Sequence, residues 1–593
     1  MEKSISGPNK MNIFKGLGCP NKSQACLIAL VAVSLLFALV RYRFIQTWAT
    51  NDDVGLSLIC SGNGWTSKPD PHLMFTNLAI GLVLAQLYEL NRHVSWYACY
   101  MVLVNLLSIF GLTYSLLCRR SIVTGLLAVS LMFCVIGLPN LCAMQFTTDS
   151  CILGLAGFAV ILAWWEESVE ENGHTRTSLV PPICGSLLLI FSSLVRYQSF
   201  LMICLLSAFF FVIRLAPDCK KYLSTKPSRH FRVLCLAAIT TAAVATLAYQ
   251  ANILSYNRTA GWNEFYTANS LIANFVDFGF GNNCSPALRQ EAVAKAGWSD
   301  NDLSMLQNLF CYDSRSFSVE RMRIASNILR GTRHVTLTEI LHELQVDFAS
   351  LPMRPFVCIG IFLCFLYNSK LFSRWQLAVF FASCIGIAVG MLVGFKLAPH
   401  VYKGIAAFFI FIQLFYVNRG STIWFEKQSL LKYTTLAACL VFVCILGAEA
   451  FKNCRIISRT ALENNLRFKQ SLAVLHMSDK QLLVTWREFF PFEDILPFDD
   501  LYENFHNLHM LPLALRANSA MVANISAESR FPADDISRTL LSDNTFLCSC
   551  PELNLLLAKY LKQHFNLNVE IEAVKHDNFS CLSLYRVRSS LPN

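Results

Sequence analysis

The chain has 593 residues, of which 54% are hydrophobic and 15% are charged, and its mean hydropathy is +0.45. This composition is too apolar for a soluble enzyme of this size and indicates an integral membrane protein. The formal charge of +10 does not indicate nucleic-acid binding, because the Lys and Arg residues are dispersed among short segments between apolar runs, a pattern that orients membrane proteins. Most of the 23 cysteines lie within apolar runs, where they behave as small hydrophobic residues.

The first apolar run predicts a membrane-spanning helix over about residues 26–46. No small-residue cleavage site follows it, so this helix is predicted to be retained rather than removed as a signal peptide. After an outer loop at 48–72, the amphipathic stretch at 72–90 is predicted to lie as a helix along the outer membrane surface. A span there would turn Arg119 and Arg120 outward, against the preference of basic residues for the inner side.

The remaining apolar runs complete a polytopic membrane core, with nearly every basic cluster on the inner side. A polar segment at 251–353 interrupts these runs on the outer side and is too long for an ordinary connection. Within it, Cys284 and Cys311 are candidates for a disulfide bond. The further spans are predicted at about 96–117, 122–138, 151–165, 183–195, 200–215, 233–250, 355–367, 375–395, 404–417 and 433–449.

The tail carries the patterns of a small soluble domain outside the cytoplasm. Residues 481–486 predict a buried strand, 551–565 an amphipathic helix, and 569–574 and 581–587 alternating strands. The predicted fold class is an α-helical polytopic membrane protein with about 11 transmembrane helices and a small α/β soluble C-terminal domain. The predicted domains are a cytoplasmic N-terminus at 1–25, a transmembrane core at 26–250, a large outer loop at 251–353, transmembrane helices at 354–449 and an α/β domain at 450–593.

Two adjacent carboxylates, Asp52 and Asp53, follow the first span where it leaves the membrane. Neighbouring side chains in a loop diverge, so one aspartate can face a reaction centre while the other orients it or binds a cation. A carboxylate at the membrane surface can take the proton from an incoming hydroxyl as a general base. Paired aspartates also cap helices and solvate loops, so the motif alone leaves a structural role equally open.

The motifs around this acidic pair resemble the GT-C superfamily of integral-membrane glycosyltransferases. They are Asn51-Asp52-Asp53, then Ser61-Gly62-Asn63-Gly64, then Pro69-Asp70-Pro71-His72-Leu73 at the start of the surface helix. The resemblance covers about residues 26–449 at the level of architecture and looks most like uncharacterised bacterial members with a periplasmic tail. It implies a sugar donor on polyprenyl phosphate, an active site facing outward in a membrane lipid environment, and an acidic catalytic base.

By position, the resemblance makes Asp52 or Asp53 the base. It makes Asp149 the second acidic residue, although Asp149 equally fits a helix N-cap. A divalent cation at these three carboxylates is compatible with the motif. Arg196 interrupts apolar sequence between two predicted spans, and its guanidinium matches the oxygens of the lipid phosphate. Anchoring at the membrane interface is the alternative role for this arginine.

Further basic residues lie in a predicted outer turn, against the inside preference. These candidates for binding the donor phosphate are Lys396, His400 and Lys403. Members of the superfamily tend to carry arginine in this turn, so lysine keeps the charge and loses the bidentate geometry. The predicted acceptor- or donor-binding residues, for which core packing is the alternative, are His72, Trp262 and Tyr266.

Together these residues predict a glycosyltransferase in which a glycan or lipid acceptor of the cell envelope displaces polyprenyl phosphate, with inversion at the sugar. Two alternatives stay open. A surface-polysaccharide polymerase or ligase also joins lipid-linked glycans at the outer face, although such proteins typically depend on outer-loop arginines. A transporter of lipid-linked glycans would show inverted repeats and polar groups near the midplane. The predicted location is the bacterial inner membrane, with the C-terminal domain outside the cytoplasm.

Overall fold

A computed structural model describes most of the chain, and the described part is mainly helical. Several basic residues of the predicted inner and outer loops, including Lys396 and Arg419, fall outside the described residues. The described residues are 20–590 except 67, 171–177, 219–228, 283, 331–337, 339, 341, 343–344, 347–352, 368, 370, 395–398, 418–428, 476–480, 507, 514–516, 518, 530, 533–534 and 575–581.

Eight helices of the described chain are long and apolar enough to cross a membrane. Three more of the predicted spans coincide with shorter apolar helices, Val180–Val195, Arg354–Leu366 and Pro399–Tyr416. Each predicted span therefore falls on a helix, and the predicted polytopic helical architecture is confirmed. The eight long helices are Lys22–Arg43, Trp96–Leu117, Ile122–Cys142, Phe146–Glu170, Tyr197–Leu215, Arg229–Arg258, Arg374–Leu392 and Ala437–Ala473.

The membrane part also contains two very short strands, β1 (Thr47–Trp48) and β2 (Ala143–Met144), which pair in parallel. A π-helical turn at Phe133–Gly137 divides the third long helix. The helices that the site and the core use are α1 (Lys22–Arg43), α2 (Asn51–Ser61), α3 (Leu78–Leu90), α4 (Trp96–Leu117), α5 (Ile122–Met132), α6 (Leu138–Cys142), α7 (Phe146–Glu170), α8 (Val180–Val195), α9 (Tyr197–Leu215) and α10 (Arg229–Arg258).

Helix α7 is the centre of the membrane part, since the whole of its apolar window is buried inside the protein. Its sequence is apolar all round, as expected for a helix that other helices surround. Glycines let α8 approach it closely, because a Cβ on Gly157 would lie 2.6 Å from the Gly185 carbonyl oxygen. Small residues serve this purpose at helix contacts within membranes. The packing fixes the start of α7, where Asp149 lies.

The acidic stretch that was predicted as a loop begins a helix instead. Asn51, Asp52 and Asp53 form the first turn of α2, so the two aspartates point in directions set by the helix, about 100° apart. The predicted surface helix is α3, which begins at Leu78 and leaves His72 in the irregular segment before it.

The predicted outer loop at 251–353 is largely helical and packs against the C-terminal tail. The N–H of Cys311 donates to the Leu513 carbonyl over 3.0 Å, and buried side chains from both segments share one hydrophobic core. Cys284 and Cys311 are free thiols, so the predicted disulfide is not formed. The helices of this segment are α11 (Trp262–Val276), α12 (Pro286–Ala296), α13 (Asp300–Gln307) and α14 (Val319–Leu329).

A single long helix carries the chain from the membrane part into the tail. The last membrane helices are α15 (Arg354–Leu366), α16 (Arg374–Gly394), α17 (Pro399–Tyr416) and α18 (Ser429–Leu475). Helix α18 has 47 residues and extends roughly 70 Å, so the predicted start of the α/β domain at 450 lies inside it. The α/β domain instead begins at β3 (Leu482–Thr485).

The C-terminal α/β domain is built on a five-stranded mixed sheet. After β3 its elements are α19 (Leu501–Phe505), β4 (His509–Pro512), α20 (Ala520–Ser529), α21 (Ile536–Leu540), β5 (Thr545–Cys548), α22 (Pro551–Phe565), β6 (Val569–Ala573) and β7 (Leu584–Ser589). The strand order is β4-β3-β5-β7-β6, with the first three parallel and the others antiparallel. The predicted strands and the predicted helix are confirmed, whereas the sequence patterns do not indicate β4 and β5.

Candidate active site

The pairing of β1 with β2 brings the acidic stretch to the start of α7. Thr47 pairs with Ala143 and Trp48 with Met144, and the N–H of Ala49 extends the ladder to the Met144 carbonyl over 2.9 Å. The residues that follow each strand therefore lie side by side. These are the first turn of α2 on one chain segment and the first turn of α7 on the other.

Asp53 is fully buried and hydrogen-bonded on both carboxylate oxygens. The Thr50 hydroxyl donates to Oδ2 over 2.9 Å, and the Tyr97 hydroxyl and the Phe146 N–H donate to Oδ1 over 3.1 and 3.2 Å. Burial raises the pKa of Asp53 to about 8, although the Thr50 hydrogen bond opposes part of this rise. The hydrogen bonds of this carboxyl group connect α2 to α4 and α7.

Asp52 differs from its neighbour in exposure and in partners. Its side chain is partly exposed, and no hydrogen bond or ion pair reaches it from the part of the chain that the structure describes. Arg196 lies close enough to interact with it electrostatically. Asp52 is therefore the carboxylate of the pair that is free to meet a reactant.

Asp149 is buried near the first turn of α7, in the same region as Asp53. The Asn105 amide donates to its Oδ2 over 2.8 Å. Its Oδ1 atom and the nearby buried hydroxyl of Tyr100 have no hydrogen-bond partner among the described residues. The Lys403 ammonium lies close enough to interact with Asp149 electrostatically. Asp149 is thus held by α4 and faces a cation from α17.

A divalent cation does not fit the three carboxylates well. Both oxygens of Asp53 already accept hydrogen bonds from the protein. Within the described residues, no group of three or more Asp, Glu, His and Cys side chains is gathered closely enough to hold a metal ion. The predicted set of Asp52, Asp53 and Asp149 is therefore not arranged as a ligand cluster.

Arg196 stands between α8 and α9, packed against two aromatic rings. Its guanidinium carbon lies 5.2 Å from the ring centre of Phe75 and 4.8 Å from that of Phe146, and the two rings are stacked 5.7 Å apart. Burial lowers the pKa of Arg196, and the nearby charge of Asp52 partly restores it. No carboxylate of the described chain lies within ion-pair distance of this guanidinium, so its charge is free for a ligand anion.

The predicted basic turn is only partly within the described residues, because Lys396 lies outside them. His400 and Lys403 are the second and fifth residues of α17 rather than part of a turn between helices. The His400 carbonyl accepts a hydrogen bond from the Thr148 hydroxyl over 3.2 Å. This contact places the start of α17 beside the start of α7 and explains why Lys403 comes near Asp149.

His72, Trp262 and Tyr266 come together through Tyr256, which the sequence patterns do not single out. The ring of His72 stacks on Trp262 with centres 4.7 Å apart, and Tyr256 packs against both His72 and Tyr266. Trp262 is only 2% exposed, which favours the alternative role of core packing for this residue. Since the Tyr256 hydroxyl also accepts the N–H of Met74 over 2.7 Å, this cluster holds the segment that carries the Phe75 ring.

The candidate site also contains residues that the sequence patterns do not indicate. Tyr97, Tyr100 and Asn105 reach it from one stretch of α4, and Phe75 and Phe146 supply the rings around Arg196. Asn105 carries a usable signal, because a polar residue within an apolar span usually faces a cavity or another helix. The aromatic residues carry no such signal, since ordinary core packing is enough to explain an aromatic residue in an apolar sequence.

No family model matches the chain, and no curated protein matches it significantly. Two solved structures resemble it along nearly its whole length: ArnT from Cupriavidus metallidurans bound to undecaprenyl phosphate, and the same protein in the apo state. Each is 12% identical in sequence to this chain. The bound structure covers 94% of this chain and 97% of its own, with a TM-score of 0.37. The apo structure covers 95% of this chain and 98% of its own, with a TM-score of 0.38. TM-scores below 0.5 carry no residue's role from one chain to another.

Proposed function

We propose that this chain is a membrane glycosyltransferase that moves a sugar from a polyprenyl-phosphate donor to a glycan or lipid acceptor of the cell envelope, at the outer face of the membrane. The observation that carries the proposal is that Asp52, which no hydrogen bond or ion pair of the described chain reaches, interacts electrostatically with Arg196, whose guanidinium packs against Phe75 and Phe146. In such a pair the carboxylate can take a proton from the acceptor hydroxyl, and the guanidinium can stabilise the phosphate that leaves.

Asp52 takes the proton in this mechanism. The acceptor hydroxyl oxygen forms a bond to the anomeric carbon of the donor sugar, and its proton passes to the Asp52 carboxylate. The bond between the anomeric carbon and the phosphate oxygen breaks, and its electron pair leaves with polyprenyl phosphate. Attack from the face opposite the leaving group inverts the configuration of the sugar. The phosphate is a good leaving group, so no protein acid is needed.

Arg196 receives the phosphate as its charge increases. Its planar guanidinium offers several N–H donors that match phosphate oxygens. The rings of Phe75 and Phe146 hold the guanidinium in place, so little reorganisation is needed when charge develops. Lys403 is a weaker candidate for the same role, because its ammonium already interacts electrostatically with Asp149.

Asp53 acts as a positioning residue rather than as the base. Both of its oxygens are engaged by donors from α4, from α7 and from Thr50. These bonds anchor the first turn of α2 and therefore fix the direction of Asp52. Its raised pKa leaves the group mainly protonated at neutral pH, which spares Asp52 a second negative charge beside it.

The proposal is tested by incubating membranes that contain the chain with labelled polyprenyl-phosphate sugars. We expect release of polyprenyl phosphate together with transfer of label to an envelope glycan or lipid, absent from membranes without the protein. Transfer from polyprenyl-pyrophosphate glycans alone would favour a polysaccharide polymerase or ligase. Label crossing the membrane with no new bond to an acceptor would favour a transporter.

A further inference from the structure

Two helices from distant parts of the chain, α1 and α18, meet where their apolar runs end. The ring of Phe44, just after α1, packs edge-on against the ring of Phe451 of α18, with centres 4.7 Å apart. The Ser458 hydroxyl of α18 donates to the Ile45 carbonyl over 2.9 Å. Because α1 leads directly into β1 and α2, this junction lies on the same side of the membrane as the acidic site.

The residues around this junction are strongly basic. Over 38–46 and 449–460 the sequence has five basic residues and one acidic residue, Glu449. All five basic residues are exposed, and in the part of the chain that the structure describes none of them forms an ion pair with a carboxylate. Together they form the basic surface, which consists of Arg41, Arg43, Lys452, Arg455 and Arg459.

The three basic residues of α18 share one face of that helix. Lys452, Arg455 and Arg459 are spaced by three and four residues, a spacing that places side chains on the same side of a helix. Cys454 and Ser458 are buried on the other side, toward the segment that follows α1. The packing that buries these two residues therefore turns the three cations outward.

Exposed apolar side chains adjoin the basic surface on its membrane side. Leu39, one turn before Arg43 on α1, is 47% exposed, and Ile445, two turns before Lys452 on α18, is 59% exposed. Most of the apolar window of each helix is likewise exposed, as expected of helices that face lipid chains. An apolar strip that continues into a cationic strip matches an anionic lipid, in which acyl chains and headgroup follow one another in the same order.

We propose that the basic surface binds the headgroup of an anionic phospholipid, whose acyl chains lie along Leu39 and Ile445. Basic residues are normally concentrated on the inner side of a membrane, so orientation does not explain this group, and guanidinium groups match phosphate oxygens. The bound lipid joins α1 to α18 at the segment that precedes β1 and the acidic turn. The inference goes beyond the proposed function and depends on it only for placing this lipid in the outer leaflet.

The test maps where an anionic lipid lies on the full-length protein in mild detergent. The probe is phosphatidylglycerol with a photoactivatable group on an acyl chain close to the glycerol, and cross-linked peptides are identified by mass spectrometry. We expect cross-links on the peptides that contain 39–45 and 445–459. Unlabelled phosphatidylglycerol should compete for these cross-links, whereas phosphatidylcholine with the same acyl chains and inorganic phosphate at the same concentration should not.

The double variant Arg455→Gln/Arg459→Gln removes two cations of the basic surface. It should lower the apparent affinity of the probe at these peptides roughly 10-fold to 30-fold, because each basic residue lost weakens the attraction to an anionic lipid several-fold. The matched control is Lys559→Gln/Lys562→Gln, which removes two exposed charges from α22 of the C-terminal domain. This control should cross-link as wild type does.

Equal cross-linking of wild type and Arg455→Gln/Arg459→Gln would overturn the proposal, as would equal competition by phosphatidylcholine. Displacement by inorganic phosphate would indicate a site for a small anion, and no cross-link at 39–45 or 445–459 would favour an acidic protein partner. Either result contradicts the proposal. If the double variant does not accumulate, the competition pattern of the wild-type protein decides. No readout involves sugar transfer, so failure here and failure of the proposed function are distinguishable.

Discussion

The backbone N–H of Phe146 donates a hydrogen bond to the Asp53 carboxylate over 3.2 Å, between residues 93 positions apart in sequence. The ring of the same Phe146 packs against the Arg196 guanidinium, 4.8 Å from its carbon to the ring centre. One residue at the start of α7 therefore contacts both the acidic turn of α2 and the Arg196 guanidinium. A substitution that shifts the acidic turn of α2 should therefore also shift Arg196 through Phe146, and the reverse should hold.

Asp53→Asn should remove a pH dependence of stability. Burial raises the pKa of Asp53 from 3.8 to about 8, so the folded protein holds this proton more tightly than the unfolded chain. The contribution to stability is complete below about pH 4 and is lost as the pH rises through about 8. The thermal midpoint of detergent-solubilised protein, measured from about pH 4 to 9, should fall with pH in wild type and less so in the variant. If the thermal midpoints of wild type and variant fell equally with pH, the raised pKa of Asp53 would be contradicted.

Arg196→Lys should weaken donor use while keeping the charge. Lysine has no planar group to pack against the rings of Phe75 and Phe146 or to bind a phosphate with two parallel bonds, so we expect the KM for the polyprenyl-phosphate donor to rise roughly 10-fold, within the range of lost cation–π contacts. Arg196→Gln, which also removes the charge, should lower kcat/KM on the order of 100-fold. Steady-state turnover at fixed acceptor concentration separates the two, and wild-type kinetics in the Gln variant would argue against a phosphate role.

Glu166→Gln should destabilise the membrane part without altering catalysis per folded molecule. Glu166 is fully buried and accepts two hydrogen bonds from Arg214, at 2.9 and 3.2 Å, and one from the Tyr416 hydroxyl. Removing its charge leaves Arg214 unpaired, at a cost of about 3–5 kcal/mol. Glu166 is roughly 25 Å along α7 from Asp149, so the site should be intact.

The readout for Glu166→Gln is the detergent-denaturation midpoint, compared with the double variant Glu166→Gln/Arg214→Gln. The double variant should recover part of the loss, since it leaves no buried unpaired charge. Equal midpoints for wild type and the single variant would show that the ion pair carries no net stability.

The charged members of the site were predictable because they stand out against apolar sequence. Asp52, Asp53 and Arg196 each interrupt or border an apolar run, and such residues are costly in a membrane unless they serve a purpose. The spans were predictable for a related reason, since a hydrocarbon core demands long apolar helices. The prediction that α3 lies along the membrane surface came from the placement of Arg119 and Arg120.

The roles within the acidic pair were not predictable. Asp52 and Asp53 are chemically identical, and only the first turn of α2 turns one into the core and leaves the other unpartnered. Tyr97 and Phe146 reach Asp53 from 44 and 93 positions away, and their aromatic character is indistinguishable from ordinary packing. The error at residue 450 arose because hydropathy marks where the membrane ends and not where a helix ends.

The most direct test of this account is donor turnover by Asp52→Asn and Asp53→Asn at equal amounts of folded protein, near neutral pH. Asparagine is close to a copy of the protonated Asp53, so Asp53→Asn should retain activity within about 10-fold of wild type, an effect of about 1.4 kcal/mol. Asp52→Asn removes the base and should lower turnover by roughly 100-fold to 10,000-fold. Wild-type turnover in Asp52→Asn, with loss only in Asp53→Asn, would contradict the assignment of Asp52 as the base.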